Sequence, residues 1–278
     1  MYGALVELWF DGGYDPALKS GITALLAELQ PHAVVFGGVG LTPHPVRWAG
    51  SETGYTPYPS WSRWDPVLRA GGGDPDGAVW MPAETDFTLQ RGDGWFYDGT
   101  AGVHAPAELR AMYEQSAGDN TGLIIDIAPF SNGTVPGSQA AAAAALGRYR
   151  KQCYGGPAVA SGSGSGLAAI TIKPTTAAAA LVDRVQIRED QRNGQVIRAF
   201  KLTARLPSGA TLPLCPDKAT SIGSQYICVL KAPIEVANLT LVVTKAEQGT
   251  PVISWFAAFR CGQLAAAIDT EWAASPYT

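Results

Sequence analysis

The chain has 278 residues, 46% hydrophobic and 16% charged, with a formal net charge of −4. That balance describes a globular protein of one large or two ordinary domains and argues against a disordered chain. No basic cluster suits a nucleic-acid partner, and no apolar run reaches the roughly 18 residues of a membrane helix, so neither nucleic acid nor membrane is expected.

Residues 5–10 read as a buried strand, apolar and aromatic apart from Glu7, with Asp11 where the strand gives way to a loop. In a parallel sheet or barrel that edge collects catalytic groups; capping of the next helix is the competing role for Asp11. Asp15-Pro16 opens a helix with Leu18, Ile22, Leu25, Leu26 and Leu29 on one face. Pro31 stops it, and residues 33–36 form a short buried strand, completing a βαβ unit. Arg47-Trp48-Ala49-Gly50-Ser51-Glu52-Thr53-Gly54 is a loop carrying a second isolated carboxylate. Residues 57–66, with Trp61 and Trp64, read as a long irregular loop of the kind that borders active sites, and residues 71–77 as a flexible insertion. Pro82-Ala83-Glu84-Thr85-Asp86 and Gly94-Trp95-Phe96-Tyr97 follow. Then come a helix over 105–117, a strand over 122–129 and an alanine-rich helix over 137–149.

Residues 161–166, alternating Ser and Gly, mark a composition break and predict a flexible loop or linker. Beyond it the period shortens: 184–188, 196–202, 239–243 and 252–257 read as strands without helices between them, the pattern of a β-sandwich. The predicted domains are therefore an α/β unit over 1–160, a linker over 161–166, an all-β unit over 167–262 and a tail over 263–278 with a short helix and a loose end.

Four cysteines lie too far apart for a zinc knuckle, and one disulfide, Cys215–Cys228, is compatible with export. His32, His44 and His104 have no metal-ligand spacing and belong to loops, so neither metal nor cofactor is expected. Two sequons, Asn132-Gly133-Thr134 and Asn238-Leu239-Thr240, are also compatible with export. No signal-peptide pattern precedes the first strand. Eight Trp and ten Tyr are many for this length; their faces suit sugar rings, and core packing is the competing role.

In order along the chain, Tyr2-Gly3 with Val6-Glu7-Leu8-Trp9-Phe10-Asp11-Gly12, the Arg47 to Gly54 block, Pro82-Ala83-Glu84-Thr85-Asp86, Gly94-Trp95-Phe96-Tyr97 and residues 120–129 resemble the α-L-fucosidases of glycoside hydrolase family 29, in their plant and bacterial branch. The resemblance continues through Arg184-Val185, Ile187-Arg188-Glu189-Asp190, Gly194-Gln195 and Thr220-Ser221-Ile222-Gly223. It implies the C-terminal half of a (β/α) TIM-like barrel followed by an antiparallel β-sandwich, and a retaining hydrolase. Asp11 is then the nucleophile and Glu52 the general acid/base, with Glu84 the alternative to Glu52. Retention needs two carboxyl groups about 5 Å apart, and a strand and loop lie within the 41 residues (52 − 11) separating these two. Trp9, Arg47, Trp48, Glu84 and Trp95 are the implied substrate-binding residues, and Asp86 and Asp126 are expected to brace loops at the rim. The implied partner is a fucosylated oligosaccharide or glycoprotein glycan, and the implied location is secreted, lysosomal or vacuolar.

This sequence departs from the pattern in Ser51, where Asn is usual, in Thr85, where Cys is common, and in Asp93, an apparent insertion. The family's barrel also begins well upstream of its nucleophile strand, whereas Met1 here lies nine residues before Phe10. That predicts a truncated barrel whose two open strand edges favour self-association and cost activity. An inactive remnant serving as a carbohydrate-binding or structural module is the alternative.

Overall fold

The computed structural model describes residues 3–65, 71–92, 94–97, 99 and 102–277; Tyr2, Pro66 and Asp93, singled out in the sequence, lie outside the described residues. The first half is built on five parallel strands, β1 (Glu7–Trp9), β2 (Val34–Phe36), β3 (Pro45–Trp48), β6 (Ala83–Thr88) and β7 (Thr121–Asp126), in that spatial order. Two short strands, β4 (Arg63–Trp64) and β5 (Val79–Trp80), form a separate ribbon between β3 and β6. Helices α1 (Lys19–Leu29), α2 (Pro106–Glu114) and α3 (Gly137–Cys153) connect or follow the strands.

Strand alternation divides the sheet residues between two faces. Leu8 and Val35 pack with Leu26 of α1 on one face, and farther along the same face Phe87, Leu123 and Ile125 pack against Leu109, Met112 and Leu146 of α2 and α3. The register places Glu7, Trp9, Phe36, Trp48, Glu84, Asp86 and Asp126 on the other face. β1 and β6 are three strand spacings apart, about 14 Å in a flat sheet, yet the carboxyl groups of Glu84 and Glu7 lie close enough to perturb one another. The sheet is therefore curled with this face inward, which is the half-barrel that the resemblance implies.

The second half is a sandwich of two antiparallel four-stranded sheets. One sheet orders β13 (Tyr226–Val236), β10 (Ala180–Glu189), β15 (Val252–Phe259) and β8 (Ala160–Ser165). The other orders β12 (Thr211–Pro213), β11 (Ile197–Arg205), β14 (Asn238–Ala246) and β9 (Ile170–Ile172). Val182, Val185, Ile187, Ile197, Phe200, Leu202, Leu241 and Phe256 fill the space between them. Helix α4 (Gly262–Ala273) returns to the first half, where its Asp269 takes both terminal nitrogens of Arg110 in α2 at 2.7 and 2.6 Å.

Several expectations need correcting. The Ser/Gly segment 161–166 is not a linker: most of it is β8, antiparallel to β15. Its glycines are required by packing, because a Cβ on Gly162 or Gly164 would stand 2.9 Å from the side chains of Ile172 and Ile170. The 71–77 insertion is packed rather than loose, with Gly71, Gly72, Gly73 and Gly77 against the backbone of Ala49, Pro59, Trp61 and Trp64. Strand β1 is half-buried at best, since it pairs on one side only. On α1 the expected apolar face is covered at Leu26 and partly at Ile22, while Leu18, Leu25 and Leu29 are more than half exposed.

The expected Cys215–Cys228 disulfide is present, and a second, Cys153–Cys261, joins the end of α3 to the turn after β15. A loop closed by a crosslink loses unfolded-state entropy in proportion to the logarithm of its length. The sequence separations are 108 and 13 residues. The chain-entropy model gives about 4.7 kcal/mol for a loop near 100 residues and about 3 kcal/mol for one near 15. Denaturant unfolding of Cys153→Ser/Cys261→Ser is therefore expected to show the larger loss of stability, and of Cys215→Ser/Cys228→Ser the smaller. The reverse order would show that the inter-domain crosslink is strained or redundant.

Candidate active site

Asp11 stands directly beyond β1, exposed, in a turn closed by a hydrogen bond from the Gly13 amide to the Phe10 carbonyl at 3.1 Å. Gly12 and Gly13 both have positive φ, 69° and 95°, a conformation that favours glycine. The capping role that competed for Asp11 belongs to Asp15, whose Oδ1 accepts from the Ala17 amide at 2.9 Å. Asp11 is thus left at the C-terminal edge of the parallel sheet without a helix to cap.

Glu52 is presented by a short turn beyond β3, and both ends of that turn are fastened to β6. The Ala49 amide donates to the Glu84 carbonyl at 2.7 Å, and the Gly54 amide to the Asp86 carbonyl at 3.1 Å. Between these anchors Glu52 is exposed, and Ser51 Oγ and Thr53 Oγ1 lie 2.7 Å apart. Gly54, at φ 75°, sits so close to Met112 and Phe87 that a Cβ would fall about 3 Å from them. The turn therefore cannot lift away from β6 without disturbing the core behind it.

Under these loops the inward face is acidic and aromatic. Trp9 stacks on Phe36 with ring centroids 3.5 Å apart and planes within 4°, leaving the indole 37% exposed. Trp48 donates its Nε1–H to Asp86 Oδ1 at 2.9 Å. Burial raises the Asp86 pKa; the Trp48 hydrogen bond opposes that shift, and the charge of Asp11 adds to it. Glu84 lies deeper, and burial first, then the facing Glu7 carboxyl and Asp86, hold it well above the ordinary carboxylate range. Glu7 Oε1 and Glu84 Oε2 are buried without a hydrogen-bond partner among the described residues. Asp126, at the end of β7, is also raised by burial. A cleft of about 430 Å³ opens at the strand ends, lined by Phe10, Phe36, Arg47, Trp48, Trp64 and Met81 among others.

The structure thus brings Trp9, Trp48 and Glu84 onto one face beneath Asp11, with Glu52 at the same edge. Arg47 is occupied differently. Its guanidinium donates to the carbonyls of Gly71 at 2.5 Å and Trp61 at 3.0 Å, so it serves as a brace between the loops rather than an open sugar donor. Burial lowers its pKa to about 10. Trp95 is half-buried in a segment beyond β6 that Gln90 holds by donating to the Gly94 and Phe96 carbonyls. Asp86, expected to brace a loop, instead sits within β6 and binds an indole. Glu7, which the sequence presents as the odd residue of an apolar strand, joins this face. The available signal was its spacing, since Glu7 and Trp9, like Glu84 and Asp86, are two apart and so share a face of their strands. Among the described residues no group of three or more His, Cys, Asp or Glu could hold a metal ion.

A buried carboxyl with a raised pKa stabilises the fold in its protonated form. That contribution is complete below the unfolded-state pKa and is lost as pH rises through the folded value. The unfolding midpoint in urea is expected to fall for the parent chain as pH is raised from about 5 to 9, and to fall much less for Glu84→Gln. Parallel curves for the two would show that Glu84 ionises as freely folded as unfolded.

No family model matches the chain. It is 30% identical over 148 residues to a putative alpha-L-fucosidase 1 of Oryza sativa subsp. japonica, a match covering 48% of this chain and 28% of that protein. A putative alpha-L-fucosidase from Bacteroides thetaiotaomicron VPI-5482 superposes with a TM-score of 0.80 at 27% identity, over 93% of this chain and 61% of that one. A GH29 fucosidase of Ruminococcus gnavus, solved in complex with fucose, superposes with a TM-score of 0.78 at 19% identity, over the same shares. The chain therefore spans between about a quarter and three fifths of the length of these relatives.

Proposed function

We propose that this chain, which resembles the family 29 α-L-fucosidases in sequence and fold, carries the nucleophile and the acid/base of a retaining α-L-fucosidase. The observation that carries the reading is the placement of two exposed carboxyl side chains at one edge of the half-barrel. Asp11 stands at the end of β1, and Glu52 on a turn pinned at both ends to β6. In this reading Asp11 attacks the anomeric carbon of a terminal α-L-fucosyl residue while Glu52 protonates the leaving oxygen. A covalent fucosyl-enzyme results. Glu52 then takes a proton from water as that water displaces the Asp11 carboxylate, restoring the anomeric configuration. Glu84 is the weaker candidate for this role, because it lies within β6 facing Glu7, below the loops.

The stacked Trp9 and Phe36 rings offer an apolar wall for the methyl-bearing side of the sugar, and Trp48 lines the cleft alongside. The substrate class is a fucosylated oligosaccharide or glycoprotein glycan. Two disulfides pairing all four cysteines suit an oxidising compartment, in keeping with a secreted or vacuolar protein. No helix among the described residues is long and apolar enough to cross a membrane. Strands β1 and β7 each have one neighbour in the sheet, and these unpaired edges suit self-association or pairing with further sheet.

Release of 4-nitrophenol from 4-nitrophenyl α-L-fucoside tests the assignment. Asp11→Ala is expected to lower kcat at least about a thousandfold, and Glu52→Gln by about 10²–10⁴-fold on fucosylated oligosaccharide. The Glu52→Gln loss is expected to be smaller on the nitrophenyl substrate, whose leaving group needs little protonation. Turnover that survives Asp11→Ala overturns the nucleophile assignment, and equal Glu52→Gln losses on both substrates overturn the acid.

A further inference from the structure

Of the two sequons, the fold treats Asn132-Gly133-Thr134 and Asn238-Leu239-Thr240 in opposite ways. Asn132 lies in the loop between β7 and α3, in an exposed run over 131–135. Its Oδ1 accepts from the Thr134 amide at 3.0 Å and from Thr134 Oγ1 at 2.7 Å. The carboxamide oxygen is thereby engaged and the hydroxyl that a sequon requires is held against it, while the Nδ2 amine has no hydrogen-bond partner among the described residues. Gly133, at φ 82°, lets the chain turn here, and hydrogen bonds between Phe130 and both Gly133 and Thr134 close the loop on itself. The loop faces open space, since a Cβ on Gly133 would meet nothing within 4 Å.

Asn238 begins β14 and pairs in register with Arg205 of β11. Leu239, between the sequon's two functional residues, is 1% exposed in the sandwich core. Thr240 Oγ1 lies 3.0 Å from Thr171 Oγ1 of β9, in a side-chain hydrogen bond. Bringing the Asn238 amide and the Thr240 hydroxyl together at an enzyme's site would require this part of β14 to leave both of its neighbouring strands.

We propose that Asn132 is a site of N-linked glycosylation and that Asn238 is not occupied in the folded chain. The glycosyl donor is a lipid-pyrophosphate-linked oligosaccharide. Asn132 Nδ2 forms a bond to the sugar's anomeric carbon, the bond from that carbon to the pyrophosphate oxygen breaks, and the amide gives up one proton to a base. The pairing of all four cysteines as disulfides fits the oxidising lumen in which such donors are used. The attached glycan would stand at the C-terminal rim of the parallel sheet, the edge that also carries Asp11 and Glu52. It would lie beside the partly exposed apolar side chains of Phe130 and Val135.

The test is expression of the full chain through the secretory route of a eukaryotic cell, followed by peptide mapping before and after peptide N-glycosidase treatment. More than half of the folded chain is expected to carry one oligosaccharide at Asn132 and none at Asn238. Thr134→Ala is expected to abolish the mass increase, Thr134→Ser to retain most of it, and Asn238→Gln to leave it unchanged. Folded chain with an unmodified Asn132, or with sugar on Asn238, overturns the proposal. Should little chain be secreted, the same map of chain retained in the lumen decides for Asn132. None of these readouts depends on fucosidase activity, so an inactive chain leaves the outcome interpretable.

Discussion

The two halves of this protein depend on one residue in an uncommon backbone conformation. Asn120, at φ 66°, immediately precedes β7, and its buried side chain reaches in three directions. Its Oδ1 accepts from the Ser224 amide at 2.7 Å and hydroxyl at 3.0 Å, while its Nδ2 donates to the Ser60 carbonyl at 3.1 Å and to Ser62 Oγ at 3.2 Å. Gln195 of the sandwich meets the same cluster, accepting from the Ser62 amide at 2.8 Å. The cluster tolerates no side chain at Gly223, where a Cβ would lie 2.0 Å from Asn120 Cγ. Buried polar groups are costly when left unpaired, so these hydrogen bonds between the halves favour one docking of sandwich on half-barrel.

That docking reaches the candidate site through the segment after β3. The segment leaves β3 at Trp48, turns at Glu52 against β6, and is then taken over by the sandwich. Tyr58 donates its hydroxyl to the Ser221 carbonyl at 2.9 Å and accepts from the Thr220 and Ser221 amides at 2.9 and 3.1 Å. Farther on, the Arg198 guanidinium lies over the Trp61 ring at 5.0 Å. The Arg47 guanidinium closes the circuit by holding the Trp61 carbonyl. A second joint, Glu114 Oε1, accepts from Tyr149, Tyr154 and Arg184 at 2.7 to 2.8 Å and ties α2 and α3 to β10. The sandwich is therefore a buttress for the loop that presents Glu52 as well as a neighbouring domain.

What the sequence made legible follows from periodicity. The βαβ start, the helices over 105–117 and 137–149, and four sandwich strands were readable because their apolar spacing is local and their burial one-sided. Strand β8 was not, because serine and glycine carry no hydrophobic signal, and what makes the segment a strand is the pair of isoleucines lying over its glycines. The eleven-residue β13 was also missed: its outward residues, such as Lys231 and Glu235, break up the apolar pattern that Ile227 and Cys228 begin. Cys153 and Cys261 could not be paired from spacing, since only the packing of α3 on the turn after β15 brings them together. At the site, Asp11 was legible as a carboxylate at a strand end. The Glu7–Glu84 pair was not, because it depends on the curl of the sheet, which no local pattern encodes.

The curl sorts the carboxyl groups by depth. Glu7 and Glu84 face each other farthest in, Asp86 lies above them under the Trp48 indole, and Asp11 and Glu52 stand outermost in contact with water. Burial raises Glu84 and Asp86, so these two carboxyls hold protons at pH values where ordinary carboxylates have lost them. Protons held on Glu84 and Asp86 remove repulsion that would otherwise act on a carboxylate at the rim.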